Sequence, residues 1–273
     1  MVHSQYGKIL NQAPNEEETV TDRANALQIF GVDGVPEVKV GDDLVDLIVQ
    51  ALQASHLTLE SGDIMAVTHK IVSKAEGRLL DLREIEPSPF AHQLALTNDK
   101  DPRHVEVVLR ESKRIVRMDH GVIIAETQHG FVCANAGVDA SNVDGQEVVC
   151  LQPVDPDSSA QRLRHGLAER LGVDLAVIIT DSFGRPWRSG IINVAIGLAG
   201  LAAFADYRGQ QDSSGYELRA SVLAVADELA AAGELVMGKL ARRPVAIIRG
   251  YEITNAEGSA KDLVMDPTRD MFR

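Results

Sequence analysis

VDLAVIITDSFGRPWRSG, residues 173–190, is the stretch that decides the fold. Its first half is apolar and β-branched, and Gly172 on one side and the Gly184–Pro186 turn on the other bound it, which predicts a strand buried in a sheet. Asp181 closes that strand, and an acid held at a sheet edge stands where sites are commonly built. GFVCANAGVDASNVDG, residues 130–145, repeats the arrangement with Asp139. Should the two tips converge, carboxylates about 4 Å apart would repel by roughly 4 kcal/mol at an effective dielectric of about 20. A bound divalent cation would remove that repulsion. The simpler alternative is that each Asp caps its own turn through its side chain.

Outward from this stretch, strand and helix signals alternate without a strict βαβ rhythm. Residues 26–55 predict a strand, a Gly and Pro turn and an amphipathic helix opening near Asp42 or Asp43. Residues 61–82 predict a strand through Met65 and Val67, followed by a basic turn. Helical spacing after Asp101 and Pro102 covers 101–116, and two strands follow around 121–138. A capped helix opens at Asp157 or Ser158 and closes at Gly172. Residues 190–205, GIINVAIGLAGLAAFA, are too short to span a bilayer and predict a buried helix. The longest helical pattern is 217–238, and PVAIIRGYEI predicts a closing strand. Several strands pair as hairpins, so the fold class is mixed α+β and not a doubly wound parallel sheet.

A chain of 273 residues can bury a real core as one large domain or two intertwined ones. The net charge of −13 argues against nucleic acid or an anionic membrane as the main partner, although a local basic pocket survives such a balance. Cys133 and Cys150 are the only cysteines and form no CxxC pair, which fits a reduced, cytoplasmic protein without a zinc site. The first 25 residues have no signal-peptide pattern and are expected to begin as a loose tail.

The familiar motifs are missing: GELVMGKL (233–240) falls short of a phosphate-binding loop because Leu240 replaces its hydroxyl residue and a helix precedes it. HKIVSKAEGR (69–78) gathers His69, Lys70, Lys74 and Arg78, cations suited to phosphate oxygens or simply to solvent. Arg185 and Arg188 follow Asp181 ahead of the expected helix, whose N-terminus would attract an anion. DYRGQQDSSGYELR (206–219) offers Tyr207 and Tyr216 for stacking on a ring, or for the core.

NAGVDASNVDG, VIITDSFGRPWRSG, VSKAEGR and DYRGQQDSSGYELR together resemble the coenzyme F420-0:γ-glutamyl ligase family, over about residues 34 to 250. The resemblance implies addition of L-glutamate to a deazaflavin precursor with GTP as co-substrate, mixed sheets in two intertwined subdomains, and a homodimer. It also implies a divalent metal, manganese or magnesium, with an optional monovalent cation. Some members carry a fused flavin-reductase-like domain, which is not expected within these 273 residues. The ligase domain would run over 29–254, between a tail at 1–28 and a C-terminal tail at 255–273. By motif, Asp139, Asp181 and Ser182 would hold metal. Nucleotide would meet Val35, Pro36, Glu37, Val38, His69, Lys70, Lys74 and Asn142, and the loop of Met237, Gly238, Lys239, Leu240, Ala241, Arg242, Arg243 and Pro244. Lys74 and Arg185 would carry the catalytic charge. Lys239 departs from the family pattern, standing at a metal-binding glutamate position.

The competing expectations are a nucleotide-dependent ligase for another acid and a non-catalytic module that binds nucleotide or deazaflavin. The expected partners are small molecules only, with no nucleic acid and no membrane.

Overall fold

The computed structural model describes residues 26–140, 147–253 and 257–270. In chain order the strands are β1 (Gln28–Gly31), β2 (Ile64–Thr68), β3 (Leu79–Asp81), β4 (Ser112–Asp119), β5 (Val122–Thr127), β6 (Val132–Ala134), β7 (Val148–Cys150), β8 (Ala176–Arg185), β9 (Arg188–Ala199), β10 (Ala205–Asp206), β11 (Val222–Leu223) and β12 (Val245–Arg249). The helices are α1 (Leu44–Ala54), α2 (His69–Ala75), α3 (Pro89–Asn98), α4 (Pro102–Glu111), α5 (Pro156–Leu171) and α6 (Val225–Met237). This is the α+β class with mixed sheets that the sequence implied.

The central sheet has the order β1-β12-β2-β8-β9, and only its β2–β8 pair is parallel. Side chains alternate across a strand, and here both directions are covered. Met65, Val67, Val177, Ile179, Val245 and Ile247 pack with Ile48 and Leu52 of α1 and Leu163 and Leu167 of α5. Ile64, Ala66, Ala176, Ile178, Ala246 and Ile248 pack with Leu229 and Ala230 of α6 on the other face. A separate core joins Val105 and Val108 of α4, Ile123 and Ala125 of β5, Val149 of β7, and Leu82 and Val138 of the turns after β3 and β6. Its residues all come from the segment between α2 and α5.

Local chemistry explains the helix limits. Asp43 caps α1 by accepting from the Val45 and Asp46 amides. Asp155, not Asp157 or Ser158, caps α5, with Pro156 in its first turn and the left-handed Gly172 at its end.

Four further expectations are corrected. Residues 190–205 form no helix: most of the segment is β9, the hairpin partner of β8. A strand buried on both faces shows no polar alternation, so its Gly and Ala content looked helical. Gly197 lies so close to the start of α5 that a Cβ would fall 2.4 Å from the Pro156 carbonyl oxygen. Among the described residues no strand lies beside the outer edge of β9; its Ala195 and Leu198 amides donate to Asp227 of α6 (2.9 Å) and Asp157 of α5 (2.8 Å).

The helical pattern over 217–238 shrinks to α6, while α5 is longer and Val222–Leu223 form β11. Helical spacing over 101–116 ends at Glu111, where β4 begins. The basic segment after β2 is the helix α2, not a turn. Among the described residues, no helix is long and apolar enough to cross a membrane.

Register brings four segments to one end of the sheet. β2 and β1 finish there, the parallel strand β8 passes through with Thr180 opposite Thr68 before running on, and β12 begins there, with Val245 opposite Val67 and Ala246 opposite Gly31. Ligand sites in sheets with parallel strands gather at such carboxyl ends.

Candidate active site

The site is assembled around α2, which begins directly after β2. Thr68 pairs with Thr180, so His69 at the first position of α2 lies beside Asp181 on β8. His69 Nε2 stands 3.3 Å from Asp181 Oδ1, and its Nδ1 stands 3.3 Å from Ser73 Oγ. Asp181 also accepts from Gln152 Nε2 (2.9 Å) and from the Ser182 amide (2.7 Å). Burial pushes the Asp181 carboxyl up, but His69 and these donors outweigh it and hold the group below its ordinary range.

The next residue of α2 serves the other carboxylate: Lys70 Nζ lies 2.8 Å from Asp139 Oδ2. Asp139 is fixed by reciprocal backbone bonds to Cys150, just before residues 141–146. Asn142, an expected nucleotide contact, lies outside the described residues. One turn further along α2, the buried Lys74 ammonium pairs with the exposed Glu37. That contact brings the 35–38 segment to the site, with Val38 buried, Val35 partly buried and Pro36 exposed. Glu37 is an odd neighbour for a phosphate by sequence; in space it is the anion that neutralises the expected phosphate-binding lysine.

The segment 237–244 arrives from the other side. Met237 ends α6 in the core, Gly238 carries a positive φ, and Leu240, Ala241 and Arg242 are exposed. Arg243 pairs with Asp33 at 2.6 Å, and the Pro244 carbonyl accepts from the Thr68 amide ahead of α2. Lys239 Nζ donates to Ser182 Oγ at 2.5 Å and lies 3.6 Å from Glu234. Ser182 Oγ donates to Asn193 Oδ1 (2.7 Å), and Asn193 Nδ2 donates to Glu234 Oε2 (2.9 Å). A closed ring of Lys239, Ser182, Asn193 and Glu234 therefore borders Asp181.

Two placements differ from the sequence reading. Asp181 does not end its strand: β8 runs on to Arg185 and turns back through an exposed Trp187 into β9. No helix N-terminus follows Arg185, which lies roughly 13 Å of strand beyond Asp181. Its Nη2 donates instead to the Ser189 carbonyl at 3.0 Å, within its own hairpin. Tyr207 and Tyr216 are both exposed, outside the core.

Gln152, Asn193 and Glu234 were missed by sequence reasoning. Asn193 had a signal, a lone amide inside an apolar run. Burial pushes both nearby thiols up, Cys133 to about 12 and Cys150 to about 11, which disfavours the thiolate that a nucleophile needs.

The oxygen character of this corner fits a hard divalent cation. Among the described residues, no three His, Cys, Asp or Glu side chains gather closely enough to hold an ion by themselves. Such ions are commonly held by one or two carboxylates together with substrate phosphates, and Gln152 Oε1 is a buried oxygen beside Asp181 without a hydrogen-bond partner among the described residues.

Comparison with known proteins bears on this geometry. Residues 34–250 match the family model described as F420-0:Gamma-glutamyl ligase. The chain is 49% identical over 242 residues to the "Coenzyme F420:L-glutamate ligase" of Methanopyrus kandleri, covering 87% of this chain and 94% of that protein. It is 46% identical over 250 residues to the protein of the same name from Methanothermobacter thermautotrophicus, covering 90% and 99%. For Methanocaldococcus jannaschii the identity is 39% over 250 residues, covering 90% and 97%.

Proposed function

The chain belongs to the F420-0:gamma-glutamyl ligase family, and we propose that it joins L-glutamate to the terminal carboxylate of coenzyme F420-0 at the expense of GTP. The observation that carries this reading is the convergence of the 35–38 segment, α2, Asp181 and the 237–244 loop at one sheet end. The same reading takes the protein to be a cytoplasmic homodimer that adds further γ-linked glutamates where the product can re-enter the site.

A carboxylate does not condense with an amine at neutral pH, because oxide is too poor a leaving group. In the proposed sequence a carboxylate oxygen of the precursor attacks the γ-phosphorus of GTP, the bond to the β-phosphate oxygen breaks, and GDP leaves. The glutamate amine then adds to the acyl carbon, phosphate departs, and the amine's proton is lost to solvent. No side chain has to form a covalent bond, so the protein's work is positioning and charge.

Lys74 exchanges Glu37 for a phosphate oxygen. Lys70 and His69 hold the two carboxylates in place from consecutive positions of α2. Asp139, Asp181 and Ser182 are the residues that would hold the divalent cation, which when bound supplies neutralisation of phosphate charge. Arg185 reaches the transferring phosphoryl group only if its hairpin bond to Ser189 is given up.

Incubation with the deazaflavin precursor, L-glutamate, GTP and Mn2+ tests the proposal, with product mass and GDP as readouts. We expect GDP release that requires both glutamate and precursor, and a product heavier by one or more glutamyl units. GTP binding without turnover would identify a binding module. Turnover with a different acid would identify a ligase of other specificity.

A further inference from the structure

Gln152 lies two residues beyond the end of β7, and it is only 3% exposed. Its carboxamide rests on Gly137, where a Cβ would fall 2.5 Å from Nε2, so residue 137 has to lack a side chain for the amide to sit there. Asn135, Ala136 and Gly137 all have positive φ (50°, 51° and 71°). Two of the three are not glycine, and backbone held this way is found where surrounding structure imposes it. The turn thus presses an amide against Asp181.

The two ends of that amide are unequal. Nε2 donates to Asp181 Oδ2 at 2.9 Å, whereas Oε1 is buried and has no hydrogen-bond partner among the described residues. Turning the amide over would set oxygen against an ionised carboxylate, so charge repulsion fixes the orientation. Buried polar atoms are nearly always paired, and an exception beside an acid calls for a missing participant. That participant has to be small, because Oε1 is out of reach of solvent, and it has to present a proton or a positive charge, because the atom only accepts, which leaves a water or a cation. Amide oxygens are ordinary ligands of hard divalent cations.

We propose that Gln152 Oε1 is an oxygen ligand of the divalent cation held at Asp181. This rests on the metal reading of Asp181 given above and adds to it a neutral ligand from a loop 29 residues away in the chain. A neutral donor adds coordination without the repulsion of another carboxylate packed beside Asp181.

The test is Mn2+ binding to the full chain, followed by titration calorimetry and by the paramagnetic resonance of free Mn2+, with and without GDP. Gln152→Met keeps the unbranched shape against Gly137 and removes both polar ends. We expect its Mn2+ affinity to fall about tenfold or more, with its metal-free melting temperature at or above that of the wild type. Gln152→Glu returns an oxygen and is expected to bind Mn2+ at least as tightly as the wild type; this arm decides the matter if the Met variant does not fold. Equal Mn2+ affinity in the wild type and the Met variant would overturn the proposal, as would a Glu variant weaker than the Met variant. A wild type that binds no Mn2+ in either condition removes the metal reading of Asp181 and this role together.

Discussion

Two acids, Asp63 and Asp181, stand at opposite ends of the central sheet, and their surroundings differ in completeness. Asp63, 1% exposed, precedes β2 and receives two bonds from Arg249, from Nε (2.8 Å) and Nη2 (2.7 Å), together with the Glu60 amide. The Arg249 guanidinium is completed by Glu60 and the Thr58 carbonyl. Asp181 has a buried imidazole, an amide whose oxygen is unmatched, and a serine whose hydroxyl is drawn to Lys239. A closed network of charges locks elements together, whereas an open one leaves capacity for something that arrives later. The contrast separates scaffold from site within one sheet.

The sharpest way to break this comparison is to remove one charge at each end. Asp181→Asn keeps shape and loses the counter-charge, so we expect turnover to fall by roughly 100-fold or more with little change in melting temperature. Asp63→Asn leaves the partly exposed Arg249 with a poorer partner, so we expect a loss of about 1.5 to 3 kcal/mol in unfolding free energy, with kcat retained in the folded fraction. Denaturant melts and steady-state kinetics on both variants check the pair. Matching stability losses with matching activity losses would erase the distinction.

Lys74→Ala should weaken GTP binding by roughly tenfold or more, the loss of one charge-assisted phosphate contact of about 1.5 to 3 kcal/mol, while glutamate KM stays put. An unchanged GTP dissociation constant would leave Lys74 as a partner of Glu37 alone. A smaller effect is expected at Lys239. Its ammonium sits on Ser182, so Lys239→Glu, which sets a carboxylate there in place of a cation, should lower the Mn2+ concentration needed for half-maximal rate severalfold, read from a metal titration at saturating GTP.

The smallest effect concerns Cys133 and Cys150. Raised thiol values mean that the reactive thiolate appears only as pH approaches about 12 and about 11, respectively. Neither should be labelled by iodoacetamide at pH 8 in the native protein, and both should be once it is unfolded.

Much of this was legible in the letters, and the failures have physical causes. β8, its Asp181, α1 and the Gly172 stop follow from apolar runs, caps and glycine, which are local signals. The α2 residues could be singled out by charge, but their targets could not: Lys70 meets Asp139 and Lys74 meets Glu37 only through sheet register. β9 was mistaken for a helix because burial on both faces erases the two-residue period, and Asn193 was hidden with it. Gln152 had no pattern at all; what sets it apart is a buried atom without a partner among the described residues, which no sequence signal carries.

The carboxylates of Asp157 and Asp227 that occupy the outer amides of β9 have a consequence for life in a crowded cell. An open sheet edge is an invitation to any extended segment, whether from a neighbouring copy or from a half-folded chain, and the result is aggregation. Helix-borne acids have answered that invitation along the inner half of β9, so an intruding strand would have to displace two charged acceptors from two packed helices. Within the central sheet, among the described residues, the outer end of the hairpin and the short edge of β1 remain for strand-to-strand recruitment.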